Sequence, residues 1–412
     1  MKYVLNIIIF VMLSFVPLLA VQKKASVSQN DVDKEFVSHI IISRLDKNLD
    51  FLNKSVSKNM SLSSVTKIYK GEYFSVFSIF ANVSGNGSVV YDIVVRAPSG
   101  NIISVKKGVS IETNKERNPS VVWSKEAEQL FFEDSSESGI YSVFVIAKDV
   151  RTGRTSCAEQ YFELSEWDIL ESSPIADKNV FWQTLKNYHT GQSAEILYNL
   201  FCSEHAQMAT KDELNHLLFM FFREAFRSKP FLIDVLEKKF DFADNYTRLN
   251  IISLFSSLAE DYRLRGKVMT NSEKELWQNM FKLQLSISSP YEVGSFSTVA
   301  ADLLWGDFYA KGTYAPIERS MFYISDLDTA EKMVQHIKQG KSLADYNPDD
   351  LRTGVMFITC AYSLMRNTSA KLAMCYVDFY VSENKDKITA EKFKQTFKLV
   401  GEYLEARQPK KK

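Results

Sequence analysis

The sequence predicts a multidomain α+β chain in which an N-terminal antiparallel β-sandwich precedes an all-α helical-hairpin array. Three observations carry that reading. Residues 62–165 alternate apolar and polar positions in short runs separated by Gly-rich or polar turns. Residues 175–407 change to helical spacing and keep it. The length of 412 residues is ample for two domains of ordinary size.

Residues 1–20, "MKYVLNIIIFVMLSFVPLLA", open with one Lys, run apolar and end on a small residue, the outline of a secretory signal peptide cleaved after Ala20. The same run approaches the length of an uncleaved membrane anchor. Nothing later in the chain reaches spanning length without charges, so no membrane span is expected after cleavage. Over residues 30–58, Val37, Ile40, Ile41, Leu45 and Leu52 fall at mostly helical spacing behind Asn30 and Asp31, and predict one amphipathic helix.

The segments "YFSVFSIFANV", "SVVYDIVVRA", "NIISVKKGVSI", "GIYSVFVIAKDV" and "CAEQYFEL" read as strands. Pro98, Ser99 and Gly100 supply a turn that makes the second and third a hairpin. After "SEWDILESSPIAD" about eleven helical segments follow, joined by short loops that favour antiparallel neighbours. Thr210 and Glu213 have capping-box spacing, Asn347 precedes Pro348, Asp349 and Asp350 at a helix start, and Thr389 precedes the last helix. No fixed-period repeat is legible.

Within that array, "ADLLWGDFYAKGTYAPIERSMF" (301–322) gathers Trp305, Asp307, Phe308 and Tyr309 around Gly306 and Gly312. These four are the candidate binding residues. An aromatic stripe at helical spacing is also what a helix seam requires, and a glycine inside a helix implies a close neighbouring backbone.

"YDIVVRAPSG", followed by "SVVWSKEAEQLFFEDSSESGIYSVFVIAKDVRTG", resembles exported bacterial immunoglobulin-like modules with a Y-D-[IV]…P-x-G hairpin and a G-x-Y-x-[VF]…D strand. The helical segment resembles a D-x-L-W-x-x-F-[FY]-A-x-G pattern of uncharacterised bacterial helical-array domains. Asp302, Leu303, Trp305, Phe308, Tyr309, Ala310 and Gly312 match it, and Lys311 stands where a Thr is usual. These resemblances imply fold and address, and no activity.

Lys plus Arg and Asp plus Glu balance at 50 each, so no net field draws the chain to nucleic acid. Five scattered histidines include His216 three residues after Glu213, but a second Glu-x-x-His is missing, and no HExxH occurs. Neither metal nor cofactor is expected. Ser55 with Lys58 and Ser64 with Lys67 have Ser–Lys spacing without the companion S-D-N and K-T-G elements, and no G-x-S-x-G elbow is present. Cys157 and Cys202 lack an identifiable His partner. Cys360 and Cys375 lie at equal distances from the "RNTS" turn, so an antiparallel hairpin brings them level. They form a disulfide if their Cβ vectors converge and are two buried core residues if they do not.

The resulting expectation is a non-catalytic exported protein, periplasmic or secreted, that binds a protein, glycan or envelope partner. The alternative is a cell-envelope hydrolase with an unrecognised site in an interdomain cleft.

Overall fold

The computed structural model describes residues 35–44, 64–83, 88–112, 121–124, 127–167, 173–210, 213–285, 291 and 299–407. The expected signal peptide over 1–20, Ser55 and Lys58 lie outside them. The chain divides into two compact units, Met1–Lys70 with Phe74–Glu166, and Gly71–Tyr73 with Trp167–Lys412. Strands fill the first and helices the second, so the chain is α+β in the order its sequence predicts.

Nine strands are described: β1 (Val37–Ser43), β2 (Lys67–Tyr69), β3 (Tyr73–Ala81), β4 (Ser88–Arg96), β5 (Ile102–Glu112), β6 (Val121–Trp123), β7 (Glu128–Phe131), β8 (Gly139–Asp149) and β9 (Thr155–Ser165). A four-stranded sheet runs β1-β3-β6, with β7 also paired to β3, and a five-stranded sheet runs β2-β9-β8-β4-β5. The β2–β9 pair is parallel, whereas β4 with β5, β4 with β8 and β8 with β9 are antiparallel.

The helix expected over 30–58 is corrected where the structure describes it, because Val37–Ser43 is a strand paired antiparallel with β3 from Val37↔Ala81 to Ser43↔Ser75. Its residues explain the outcome. Ile40, Ile41 and Ile42 are consecutive and β-branched, all three are buried, and a strand buried on both faces accommodates such a run where a helix would leave one of them outside its apolar stripe.

Both sheets feed one core. Ile40, Ile42, Phe74, Val76 and Phe80 from the first meet Tyr91, Val95, Tyr141, Val143 and Phe162 from the second. Phe74 and Phe162 lie edge-on at 5.1 Å, and Tyr141 stacks on Phe162 at 5.3 Å. Each such side chain contributes about 1.5–3 kcal/mol by leaving water. The turn read at Pro98–Gly100 forms as expected: Gly100 has φ 86° and donates to Ala97 O at 2.9 Å, and Ala97 N donates to Asn101 O at 2.8 Å.

Among the described residues the second unit has twelve α-helices. They are α1 (Lys178–Asn187), α2 (Ala194–Phe201), α3 (His216–Arg227), α4 (Phe231–Lys239), α5 (Asn245–Ser257) and α6 (Asn271–Leu285). The remainder are α7 (Ala300–Lys311), α8 (Ala315–Tyr323), α9 (Leu327–Lys338), α10 (Pro348–Arg366), α11 (Lys371–Glu383) and α12 (Ala390–Ala406). Asn347 caps α10 by accepting from Asp349 N and Asp350 N, and Thr389 caps α12 through Lys392 N, as their spacing predicts. The capping box at Thr210 is corrected. Thr210 Oγ1 does accept from Glu213 N at 3.0 Å, but these residues close a turn flanked by an Ala209↔Leu214 bridge, and Asn215 caps the helix that begins at His216.

Candidate functional site

The residues singled out in 301–322 build a seam. Gly306 sits where α7 crosses α3, and a Cβ there would lie 2.5 Å from Leu217 O, 2.9 Å from Met220 Cβ and 3.0 Å from Phe221 N. Only hydrogen fits that crossing. Trp305, Asp307, Phe308 and Tyr309 are 3%, 4%, 0% and 1% exposed, so none of them presents a surface to a ligand. Trp305 meets Phe308 edge-on at 5.5 Å, Phe308 meets the His189 ring at 4.8 Å, and Tyr309 Oη donates to Asn367 Oδ1 at 2.7 Å. Burial pushes the His189 pKa down to about 4, so the ring is neutral at pH 7.

Asp307 and Glu224 share Lys311, whose ammonium lies 2.9 Å from Asp307 Oδ1 and 2.7 Å from Glu224 Oε2. Arg223 and Arg227 reach Glu224 Oε1 at 2.9 Å and 2.8 Å, and Tyr291 Oη donates to Asp307 Oδ2. Burial opposes the charge on Glu224, but Lys311 and the two guanidiniums outweigh it and hold the carboxyl below its usual range. Both carboxylates are thus consumed by cations, which suits a helix-locking network better than acid–base chemistry.

The other candidates separate. Cys157, Cys202, Cys360 and Cys375 are all free thiols, and all but Cys157 are buried. Of the two outcomes open for Cys360 and Cys375, the structure has the buried core pair without a bridge, and α10 and α11 each pack against α8. Burial pushes the Cys360 thiol up to about 12 and the Cys202 thiol up to about 11, so neither is an activated nucleophile. Ser64 Oγ accepts from Ile42 N at 3.2 Å, while Lys67 stands 5.3 Å from the Tyr69 ring, a structural use of both residues. Among the described residues no group of three or more His, Cys, Asp or Glu side chains is placed to hold a metal ion. No described helix is long and apolar enough to cross a membrane. A shallow concavity along α9 is lined by Asp328, Glu331, Lys332, His336 and Tyr346.

A second aromatic and aliphatic cluster, which the sequence reading missed, lies in the first unit on the outer face of the five-stranded sheet. Alternation along β4 and β8 turns Tyr91, Ile93, Val95, Tyr141, Val143 and Val145 into the core, and leaves Val94, Arg96, Ile140, Phe144 and Ile146 pointing outward. Strand register sets these in rows. Ile146 lies between Asp92 and Cys157, Phe144 between Val94 and Glu159, and Ser142 between Arg96 and Tyr161. Beyond β4 the rows continue to Val105, opposite Val94, and Ile102, opposite Arg96.

Ile140 is 65% exposed, Ile146 51% and Tyr161 51%, on a sheet whose inner face is closed. The Arg96 guanidinium stacks over Phe144 at 4.9 Å, which fixes a charge beside the apolar strip. The hydrogen bond to the Glu159 carboxylate raises the Tyr161 phenol above its ordinary range, so it is a neutral donor at pH 7. Gly108 N donates to Asp92 Oδ1 at 2.8 Å, where β5 bulges away from β4. The described residues of this face are apolar groups flanked by charge. The signal was present in "SVVYDIVVR" and "YSVFVIAK", whose apolar residues occupy both phases of the alternation.

No family profile and no curated protein sequence matches the chain. Solved structures align at low similarity. A family 123 glycoside hydrolase from Clostridium perfringens is 11% identical over 32% of this chain and 28% of its own, with a TM-score of 0.23. Bacteroides uniformis beta-glucuronidase 2 is 10% identical over 68% of this chain and 34% of its own, with a TM-score of 0.21. The alpha-2-macroglobulin of Escherichia coli, from domain MG7 to the C-terminus, is 9% identical over 83% of this chain and 65% of its own, with a TM-score of 0.17. The alignments thus span about a third or less of the two hydrolases, and likeness at this level carries nothing over to this chain.

Proposed function

We propose that this chain is an exported, non-catalytic interaction protein, periplasmic or secreted, whose first unit is an immunoglobulin-like β-sandwich that docks a protein partner on the outer face of its five-stranded sheet. The address rests on residues 1–20. The sandwich reading is supported by two sheets sharing one core and by Tyr141 at the start of β8, whose hydroxyl donates to Glu137 O at 2.7 Å in the manner of a tyrosine corner. In the second unit, α5 with α6, α7 with α8, and α9 with α10 pack as consecutive neighbours, which supports a helical-hairpin array, while α3 with α7 joins helices distant in sequence.

The observation that carries the function is the outward row set of Ile102, Val105, Ile140, Phe144, Ile146 and Tyr161. Contiguous apolar side chains left in water on an otherwise well-packed module mark an interaction surface. A photo-crosslinking residue at Ile146, expressed in the native host, yields a discrete crosslinked product, while one at the exposed Glu391 on α12 does not. Crosslinking at Glu391 with none at Ile146 contradicts the proposal.

A further inference from the structure

We infer that the partner seated on this sheet face is a second copy of the same chain, packed face to face about a two-fold axis lying along β8. The inference rests on the surface reading above and names its partner. The distribution of charge selects it. β8 carries the apolar centre, Ile140, Phe144 and Ile146, and a two-fold along that strand sets each of these residues against its own equivalent. On one side of β8 stands β4 with Arg96, and on the other stands β9 with Glu159 and Glu163. The rotation exchanges the two sides. Arg96 lies level with Ser142, and Ser142 lies level with Tyr161, so each Arg96 meets the second copy's β9 at Tyr161, between Glu159 and Glu163.

Two opposite-charge contacts therefore flank one apolar strip, and both arise from a single surface. An external acidic partner would satisfy Arg96 and leave Glu159 and Glu163 facing like charge, and a basic one would do the reverse. Self-pairing satisfies both sides together. Other charges on the face include Lys67 on β2, beside Glu163. Asp92 already accepts from Gly108 N, and Lys148 meets its own equivalent across the axis only at the end of β8, where the solvated rim screens the two charges. Cys157, opposite Ile146 on β9, comes to lie beneath the second copy near its Asp92, which makes the one exposed thiol a built-in reporter of the interface.

The test is sedimentation velocity on the purified protein from about 1 to 100 μM, a range that brackets interfaces of moderate affinity. The expected result is a dimer at the upper end. Arg96→Glu, and separately Glu159→Arg with Glu163→Arg, each weaken it about tenfold or more, and an equimolar mixture of the two variants restores it as a heterodimer, because the exchanged charges again face their opposites. Alkylation of Cys157 in the unaltered chain reads the same contact without substitution, and slows as concentration rises. A chain monomeric at about 100 μM overturns the inference. If that monomer's Cys157 is labelled freely in pure solution but shielded in the native envelope, the surface reading survives with another partner. Equal labelling in both settings overturns the surface reading as well. Dimers that persist in both charge variants, with no preference for the mixture, also overturn the two-fold arrangement.

Discussion

The α3–α7 seam and the outer face of the five-stranded sheet are both rich in aromatic and aliphatic side chains, yet they stand in opposite environments. At the seam, Trp305, Phe308 and Tyr309 are almost wholly buried around a glycine that no other residue could replace without moving backbone. On the sheet, Phe144 is half-buried, and Ile140, Ile146 and Tyr161 stand in water. Residue type alone does not distinguish a core from a surface that binds. Periodicity against the element does: in α7 the aromatic positions fall on a helix buried over most of its length, whereas in β8 Phe144 occupies the phase of the alternation opposite to the core.

This contrast can be broken at its strongest point first. Truncating Phe308 to Ala empties a fully enclosed site and should lower stability by about 3–5 kcal/mol, read as a shift of the urea midpoint. A loss below about 1 kcal/mol would mean that the seam is loosely packed. Acid should weaken the same region next. His189 has a native pKa of about 4 against an ordinary 6.5, so the unfolded chain takes up the proton first. Stability is therefore full above pH 6.5 and declines as pH falls toward 4, by up to roughly 3 kcal/mol. The depressed Glu224 carboxyl adds to the loss at lower pH, because its native form also resists protonation. His189→Gln should flatten the slope between pH 6.5 and 4, and an unchanged slope in that variant would assign it to other groups.

Gly306→Ala comes third. A helix interior usually gains about 1 kcal/mol from that change. Here the added methyl meets Leu217 O at 2.5 Å, and overpacking against backbone should turn the gain into a net loss of about 2 kcal/mol. A stabilised Gly306→Ala would show that α3 and α7 part easily. The smallest effect belongs to the sheet face, where Ile146→Ser should alter the unfolding free energy by no more than about 0.5 kcal/mol, because the side chain gives up little burial.

Much of this architecture was legible in the sequence. Strands β3, β4, β5, β8 and β9 fall where alternation put them, and the caps at Asn347 and Thr389 follow from local chemistry. What failed did so where tertiary pairing decides. Consecutive isoleucines at 40–42 carry no period of their own, and β3 made them a strand. Strands β6 and β7, three and four residues long, are too short to show alternation. Counting placed Cys360 and Cys375 level but left open whether they face each other, and the structure leaves both as buried thiols with no bridge between them. The seam was readable through Gly306, while the outer sheet face was hidden because Val94, Phe144 and Ile146 look like core until the register assigns them a side.

The most direct test that the outer sheet face serves association and not folding is Ile146→Lys measured twice on one preparation, by sedimentation velocity and by urea unfolding. A lysine there meets its own equivalent across the proposed two-fold but faces open water in the monomer. Self-association is expected to be lost while the monomer's unfolding free energy stays within about 0.5 kcal/mol of the unaltered chain. Association that persists, or a stability that falls with it, would contradict the claim.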